Sequence, residues 1–332
     1  MDVSPQQSFQ MISEPAEDWL TMDDGAKLFV RQWAQGRTPW AIVHIVHGMA
    51  EHSLRYKEAA RFLAQAGIDV WVADQRGHGR TADLAVNGPD CGGLLGHCAD
   101  SDGASRVTRD IDAVNRIIRE KWPGIPLVLL GHSWGSFIVQ NYIEQYGNDL
   151  AGCILSGTRG PGGLDSKIGA PFLTLFSRLK GCRSRSRLVW LMADGSYNKP
   201  FRPNRTAADW LSRNEAAVDA YIQDPLCGKL ASVGFYRDLA WLLNRIHRQK
   251  AMQGISPTLP IYVISGSADP VGAMGRGPTR LVNVYRSLGI KDLEFVLYPD
   301  ARHEPLNETN REEVRENILS WITRKLGKKD GA

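Results

Sequence analysis

Residues 126–139 read PLVLLGHSWGSFIV. An apolar run, Leu127 to Leu130, enters Gly131-His132-Ser133-Trp134-Gly135, and Phe137-Ile138-Val139 follow with helical spacing through Tyr142 and Ile143. A strand, a Gly-x-Ser-x-Gly turn and a helix can lift a serine hydroxyl out of a sheet and present it to a substrate. The bare pattern is common, so the flanking strand and helix signals carry its specificity. Glycine is wanted on both sides because a serine there is held in a strained backbone, and a Cβ at either flank would collide with neighbouring chain. Ser133 is the candidate nucleophile.

A serine hydroxyl is a poor nucleophile at neutral pH. It needs a base, an acid to orient that base, and donors for the developing oxyanion. When the nucleophile follows a middle strand, the expected chain order is Ser, acid, His. The candidate acid is Asp269, after Pro260-Ile261-Tyr262-Val263-Ile264-Ser265-Gly266-Ser267-Ala268. That is a strand ending in a small-residue turn, which places a carboxylate at the carboxyl edge of a sheet. A turn or helix-capping aspartate is the alternative. The candidate base is His303, the only histidine downstream of Asp269, in Tyr298-Pro299-Asp300-Ala301-Arg302-His303-Glu304. Asp300 is a rival orienting acid, but on so short a loop it more simply caps a turn.

Two backbone N–H groups must aim at one point to hold an oxyanion. One is expected from Trp134, the residue after the nucleophile. The other is expected from Met49, in the loop His47-Gly48-Met49-Ala50-Glu51-His52-Ser53, where Gly48 allows the tight turn. Ser53 is expected to cap the helix that follows. His132 adjoins Ser133, so its ring is expected to point away from the nucleophile. His44, His47, His52, His78, His97 and His247 are read as structural hydrogen-bonding histidines.

The elements that must position these residues are visible as apolar runs: Leu28 to Trp33, Ala41 to Val46, Ile68 to Val72, Leu127 to Leu130, Cys153 to Leu155, Leu259 to Ile264 and Leu293 to Tyr298. Amphipathic stretches lie between several of them: Leu54 to Ala66, Val107 to Lys121, Trp134 to Tyr146, Arg280 to Leu288 and Glu312 to Leu326. The alternation implies an α/β fold with a mostly parallel sheet and helices on both faces. Asp23-Asp24-Gly25 between the first two strand-like segments signals a hairpin, so the sheet is expected to begin antiparallel. The alternation stops after Leu155 and resumes at Leu259. Residues 158–255 therefore read as an inserted helical cap, with the core split between residues 1–157 and 256–332.

The chain has 332 residues, 43% apolar and 23% charged, the balance of an ordinary globular protein. No run approaches the ~18 apolar residues of a membrane span. The start, MDVSPQQSFQMISEPAEDW, lacks the basic and apolar regions of a signal peptide, so a cytoplasmic location is expected. The end, Lys325 to Ala332, reads as a frayed helix and tail. Five cysteines, Cys91, Cys98, Cys153, Cys182 and Cys227, form no C-x-x-C pair and read as free thiols. A zinc site from Cys91, His97 and Cys98 lacks a fourth ligand and suitable spacing. Net charge is +4. The insertion carries 16 Lys+Arg against 7 Asp+Glu, with the densest cluster at Arg178, Lys180, Arg183, Arg185 and Arg187. A solvated face is one reading. A surface attracting anionic lipid head groups is the other. No nucleic-acid motif or aromatic interleaving accompanies the charge.

With these residues in view, the chain resembles the α/β-hydrolase superfamily, and within it the monoacylglycerol lipase and lysophospholipase-like (serine aminopeptidase S33-type) branch. The matching segments are His47 to Ser53, Asp74-Gln75-Arg76-Gly77-His78-Gly79-Arg80-Thr81, Gly131 to Gly135, Gly266-Ser267-Ala268-Asp269-Pro270-Val271, and Arg302-His303-Glu304. The resemblance implies an α/β-hydrolase fold and hydrolysis of a carboxylic ester, often of a single-chain lipid, beneath a mobile cap. It implies no metal or organic cofactor. Trp134 stands where the branch commonly has methionine, and Ser136 where it commonly has glycine. The insertion's Asp209-Trp210-Leu211-Ser212-Arg213 and Gln223-Asp224-Pro225-Leu226-Cys227-Gly228 are similar to bacterial members labelled lysophospholipases.

An amidase or aminopeptidase would use the same residues with a different pocket. A dehalogenase or epoxide hydrolase of this fold would need aspartate at position 133. A non-catalytic binding protein would usually lose part of the constellation. Gly272-Ala273-Met274-Gly275-Arg276-Gly277 lacks the lysine spacing of a phosphate-binding loop. The oligomeric state is left open by the sequence.

Overall fold

The computed structural model describes residues 14–162 and 164–327; the expectations for a leaderless start at residues 1–13 and a tail at 328–332 lie outside the described residues. The strands in chain order are β1 (Ala16–Thr21), β2 (Lys27–Trp33), β3 (Ala41–Val46), β4 (Ile68–Ala73), β5 (Leu127–His132), β6 (Gly152–Ser156), β7 (Ile261–Gly266) and β8 (Leu293–Tyr298). They form one sheet in the order β1-β2-β4-β3-β5-β6-β7-β8. The β1–β2 hairpin is antiparallel, as its Asp-Asp-Gly turn predicts, and β2 meets β4 antiparallel. Every other pairing is parallel.

Helices α1 (Lys57–Gln65), α2 (Gly103–Lys121) and α3 (Trp134–Tyr146) fall within the first part of the core. Then α4 (Leu164–Lys180), α5 (Arg187–Ala193), α6 (Glu215–Gln223), α7 (Val233–Ile246) and α8 (Gln249–Met252) come between β6 and β7. The chain closes with α9 (Arg276–Ser287) and α10 (Arg311–Leu326) around β8. The central strands are buried on both faces, and their residues alternate between two cores. Ile42, Leu127 and Leu129 face a core shared with α2, α3, α9 and α7. Val43, Ile45, Val128 and Leu130 face a second core with Ala59 and Leu63 of α1 and Val314, Ile318 and Trp321 of α10. Each such fully buried aliphatic side chain stabilises the fold by about 1.5–3 kcal/mol, which is what fixes the strand register.

The strand order sets where chemistry can occur. From β3 the chain goes to β4 on one side and from β4 returns to β5 on the other, so helices leave in opposite directions and open a crevice at the carboxyl ends of β3 and β5. The loop holding Met49 follows β3 and Ser133 follows β5. One local expectation fails. Ser53 does not cap a helix: its hydroxyl donates to Asp74 Oδ1 at 2.5 Å and accepts from Arg31 Nη1, and a short 3-10 turn, Ser53–Tyr56, precedes α1. A buried carboxylate competes for the hydroxyl better than the helix end does.

Candidate active site

Ser133 sits between β5 and α3 with φ 51° and ψ −121°, a strained backbone for a non-glycine residue. Its flanks show why the turn needs glycine. A Cβ on Gly135 would lie 2.1 Å from the Val46 carbonyl oxygen, and one on Gly131 would lie 2.6 Å from the Gly135 carbonyl oxygen. The strain is held by the frame: Ser133 N–H donates to Ser156 O on β6 at 2.9 Å. Ser136, where the resemblance leads one to expect glycine, donates its hydroxyl to Ser133 O at 2.6 Å and lies 2.8 Å from Thr158 Oγ1, whose hydroxyl can donate to it, tying the first turn of α3 to the chain just after β6.

The structure brings together the three residues that the sequence singles out. Ser133 Oγ lies 2.8 Å from His303 Nε2, and His303 Nδ1 lies 3.0 Å from Asp269 Oδ1. Asp269 also accepts the Val271 N–H at 2.9 Å, so its loop holds the carboxylate in place. Burial pushes the His303 imidazole towards neutrality, but the charge and hydrogen bond of Asp269 outweigh it and raise the ring above its ordinary value. Asp300, the rival acid, is exposed, and its backbone N–H donates to Ser267 Oγ in the loop after β7 at 2.8 Å.

His132 corrects an expectation. Its ring does not turn away from the site but packs against His303, ring centres 4.9 Å apart, and lines the same cavity as Ser133. Burial and the neighbouring His303 push its pKa down to about 4, so it is neutral at neutral pH. The remaining histidines are hydrogen-bonded as read. His44 meets Asn115, His47 meets Gly48 O and the Gln75 N–H, His52 meets Asp224, and His78 meets Arg76 O. His247 hydrogen-bonds backbone at Arg159. His97 meets Ser232 and Asp100, while Cys98 donates to Arg76 O, so Cys91, His97 and Cys98 do not converge on a metal site. Two other groups bring three ligand types close, His52 with Asp224 and Cys227, and His97 with Asp100 and Cys182. In both, the carboxylate already bonds the histidine, and Arg183 grips both oxygens of Asp100.

Met49 and Trp134 line the cavity over Ser133. Trp134 is the first residue of α3, so its N–H has no partner within the helix. The indole of Trp134 is almost fully buried, donates to Gln75 Oε1 at 2.9 Å and leans on Phe235 of α7. The Met49 loop is fixed by a residue that sequence reasoning left without a role. Glu51 accepts the Gly48 N–H at 2.5 Å and the Tyr56 hydroxyl at 2.7 Å. Arg55 bridges Glu51 at 3.1 Å to Glu304 at 2.5 Å, joining this loop to the one carrying His303. Burial opposes the Glu51 charge, but His132, Arg55 and His47 together keep its carboxyl well below the usual range. Glu51 is part of the motif that sequence analysis quoted, so the signal was present.

Residues between β6 and β7 contact this site and line its cavity. His303 N–H and Glu304 N–H donate to Trp210 O and Leu211 O, and the Trp210 ring leans on His303 with centres 5.1 Å apart. Arg302 donates to Asp209 O and Ser212 O. The cavity over Ser133 is about 360 Å³, and among its walls are Trp190, Tyr197, Trp210 and Tyr221 from the segment between β6 and β7. A larger, apolar cavity of about 540 Å³ lies between α4, α5 and α7, and it shares Phe137, Asp194, Tyr197, Tyr236, Leu239 and Val271 with the first.

Residues 37–310 match the family described as "Serine aminopeptidase, S33". The chain is 28% identical over 305 residues to a monoacylglycerol lipase of Mycolicibacterium smegmatis, spanning 91% of this chain and 95% of that protein. It is 27% identical over 337 residues to the human monoglyceride lipase, spanning 97% and 95%. Among solved structures it is similar to a thermostable carboxyl esterase from Bacillus coagulans in complex with glycerol, with a TM-score of 0.86 and 26% identity over 95% of this chain and 99% of that one. The sheet order and these likenesses agree: the chain has the α/β-hydrolase fold and belongs to the serine aminopeptidase S33 family of hydrolases.

Proposed function

We propose that this hydrolase cleaves carboxylic esters of single-chain lipids, monoacylglycerols or lysophospholipids, through a Ser133 acyl-enzyme. The observation that carries the reading is the unbroken Ser133–His303–Asp269 hydrogen-bond line, at the floor of a cavity continuous with an apolar one. His303 Nε2 takes the Ser133 proton as Oγ attacks the ester carbonyl, and Asp269 holds the resulting imidazolium. The amides of Met49 and Trp134 receive the oxyanion. His303 then returns the proton to the departing alcohol, and water releases the acid by the same steps reversed. The apolar cavity suits one hydrocarbon chain, and the relatives named as monoacylglycerol and monoglyceride lipases support a glycerol leaving group.

Residues 158–255 act in this reading as the cap that forms the chain-binding wall. The exposed basic cluster at Arg178 to Arg187, beside exposed Leu175, Leu179 and Leu188, draws the cap to anionic lipid surfaces. No helix among the described residues is long and apolar enough to cross a membrane. Five unpaired cysteines fit a reducing compartment, and we place the enzyme in the cytoplasm.

The test is a nitrophenyl ester panel from butanoate to hexadecanoate with wild type and Ser133→Ala, followed by monoacylglycerol, lysophospholipid and aminoacyl-anilide substrates. Serine-dependent ester turnover, at least about 10³-fold above the variant, is expected. Absence of turnover on every ester removes the esterase reading, and preference for the anilides replaces it with an amidase.

A further inference from the structure

Asp194 and Tyr236 stand where the two cavities meet. Asp194 lies just beyond the end of α5 and Tyr236 in the first turn of α7, and both line both cavities. The other shared residues are Phe137, Leu239, Val271 and Tyr197, so Asp194 is the one carboxylate in an otherwise apolar and aromatic throat among the described residues. The Tyr236 hydroxyl donates to Asp194 Oδ2 at 2.7 Å. Among the described residues, nothing donates to Oδ1, and no lysine or arginine pairs with the carboxylate. A carboxylate carried this far into an apolar passage is costly unless a donor meets it. Nothing in the ester chemistry at Ser133 and His303 uses it.

A chain threading from Ser133 into the apolar cavity must pass this group. A plain hydrocarbon strips water from the carboxylate and returns nothing. A hydroxyl on the chain at that depth donates to it. Sites that hydrogen-bond a substrate hydroxyl reject the analogue lacking it far more strongly than apolar pockets reject an extra methylene. We propose that Asp194, held by Tyr236, is a specificity-determining residue that favours an acyl chain carrying a hydroxyl at the depth of the throat over a plain hydrocarbon chain of equal length. This rests on the reading of the apolar cavity as the acyl site.

The groups facing Asp194 are the Tyr236 hydroxyl on α7, Tyr197 beyond α5, and His303 on the loop after β8; Arg159, after β6, lines the apolar cavity further from Ser133. Burial pushes the Asp194 carboxyl up to about 6, against the hydrogen bond from Tyr236 and the charge of His303. The ionised form is the better acceptor and the costlier one to cover with hydrocarbon. Preference for the hydroxylated chain therefore grows as pH rises through that value. His303 titrates for both substrates alike and cancels in the ratio.

The experiment compares nitrophenyl dodecanoate with its monohydroxylated isomers, the hydroxyl moved carbon by carbon, in wild type, Asp194→Asn and Asp194→Leu. The readout is the ratio of kcat/KM, hydroxylated over plain. At the best position we expect a ratio of about 10 or more in wild type. It should rise with pH in wild type, stay flat with pH in Asp194→Asn, and fall to about one in Asp194→Leu. Because Leu could disturb folding, Asp194→Asn, which keeps the shape and the Tyr236 contact, decides the pH arm alone. Binding of methyl dodecanoate and the matching methyl hydroxydodecanoate to Ser133→Ala, by calorimetry, repeats the comparison without turnover. Preference in binding with no ester turnover leaves the inference standing and removes the esterase reading. Turnover with no hydroxyl preference at any carbon, or a preference that Asp194→Leu leaves intact, overturns the inference. So does a preference that follows the leaving alcohol instead of the acyl chain.

Discussion

At the scale of single residues, the proposed chemistry depends on His303 being neutral when Ser133 attacks. Two histidine rings lie side by side here, and their surroundings divide the labour. His132 has no carboxylate hydrogen-bonded to it, and burial and the charge of His303 outweigh Glu51 and Asp269 and push its pKa down to about 4. His303 has Asp269 at 3.0 Å, which raises the ring above the ordinary 6.5 in spite of burial. A base with a raised pKa is protonated over more of the acid range, so activity is lost as pH falls through a value above 6.5. The acid limb of kcat/KM for a soluble short-chain ester should therefore show one ionisation on the alkaline side of a free imidazole. A limb centred near pH 4 would assign the base to His132 instead. Trp134 belongs to this scale too. Its side chain is the departure from the resembled pattern most visible in the sequence, yet its indole is spent on Gln75 and Phe235, knitting α3 to the loop after β4 and to α7. Through Phe235 it braces α7, the helix that carries Tyr236.

At the scale of elements, the junction of β5 with α3 carries the most strain and the tightest packing. An added Cβ at Gly135 would meet the Val46 carbonyl oxygen at 2.1 Å and that of His47 at 2.5 Å, both backbone atoms of β3 and its loop. Backbone in a central strand cannot step aside as a side-chain tip can. Gly135→Ala should thus push α3 away from β3, lower the urea midpoint by about 1–3 kcal/mol of stability, and misplace Ser133 relative to Met49. An unchanged midpoint would mean that the junction has slack the packing does not show. This junction was legible in the sequence because its demands are local: an apolar strand run, glycines at fixed offsets, then helical periodicity. The same holds for Asp269 and His303, each at the end of a strand-like run on the carboxyl edge. Ser53 was misread because its partner Asp74 is a buried acceptor 21 positions away, and a capping rule sees only the next helix. His132 was misread because adjacency in sequence says little about ring direction once the backbone turns through φ 51° at Ser133. The Asp194–Tyr236 pair was beyond reach, since 42 residues separate the two and the helical periodicity that contains Tyr236 says nothing of a partner beyond another helix.

At the scale of the whole molecule, the segment between β6 and β7 gives the protein a lopsided surface. Arg178, Lys180, Arg183, Arg185 and Arg187 are all exposed, although Arg183 is engaged by Asp100 and Arg185 donates to Leu95 O. The same stretch leaves large apolar side chains in solvent: Leu179 is 73% exposed, Met192 66%, Leu175 58% and Leu188 57%. Phe172 and Met192 are exposed and also line the apolar cavity, so this face surrounds an entrance to the proposed chain site. Exposed apolar groups gathered on one face mark an interaction surface, and interleaved cations give that surface a sign. In the proposed contact with an anionic layer, charge would act over a range set by salt, about 10 Å at 0.1 M, while the leucines would act only on contact. The two contributions are therefore separable. Monoacylglycerol turnover in vesicles containing phosphatidylglycerol should exceed that in neutral phosphatidylcholine vesicles, and the difference should shrink as salt is raised. Leu179→Asp with Leu188→Asp should weaken adsorption to both kinds of vesicle, since both side chains are exposed and neither lines either of the two cavities described above. Equal turnover on anionic and neutral vesicles at low salt would leave the basic cluster as a solvated face. Adsorption indifferent to both leucines would show that substrate reaches the apolar cavity from water and not from a lipid surface.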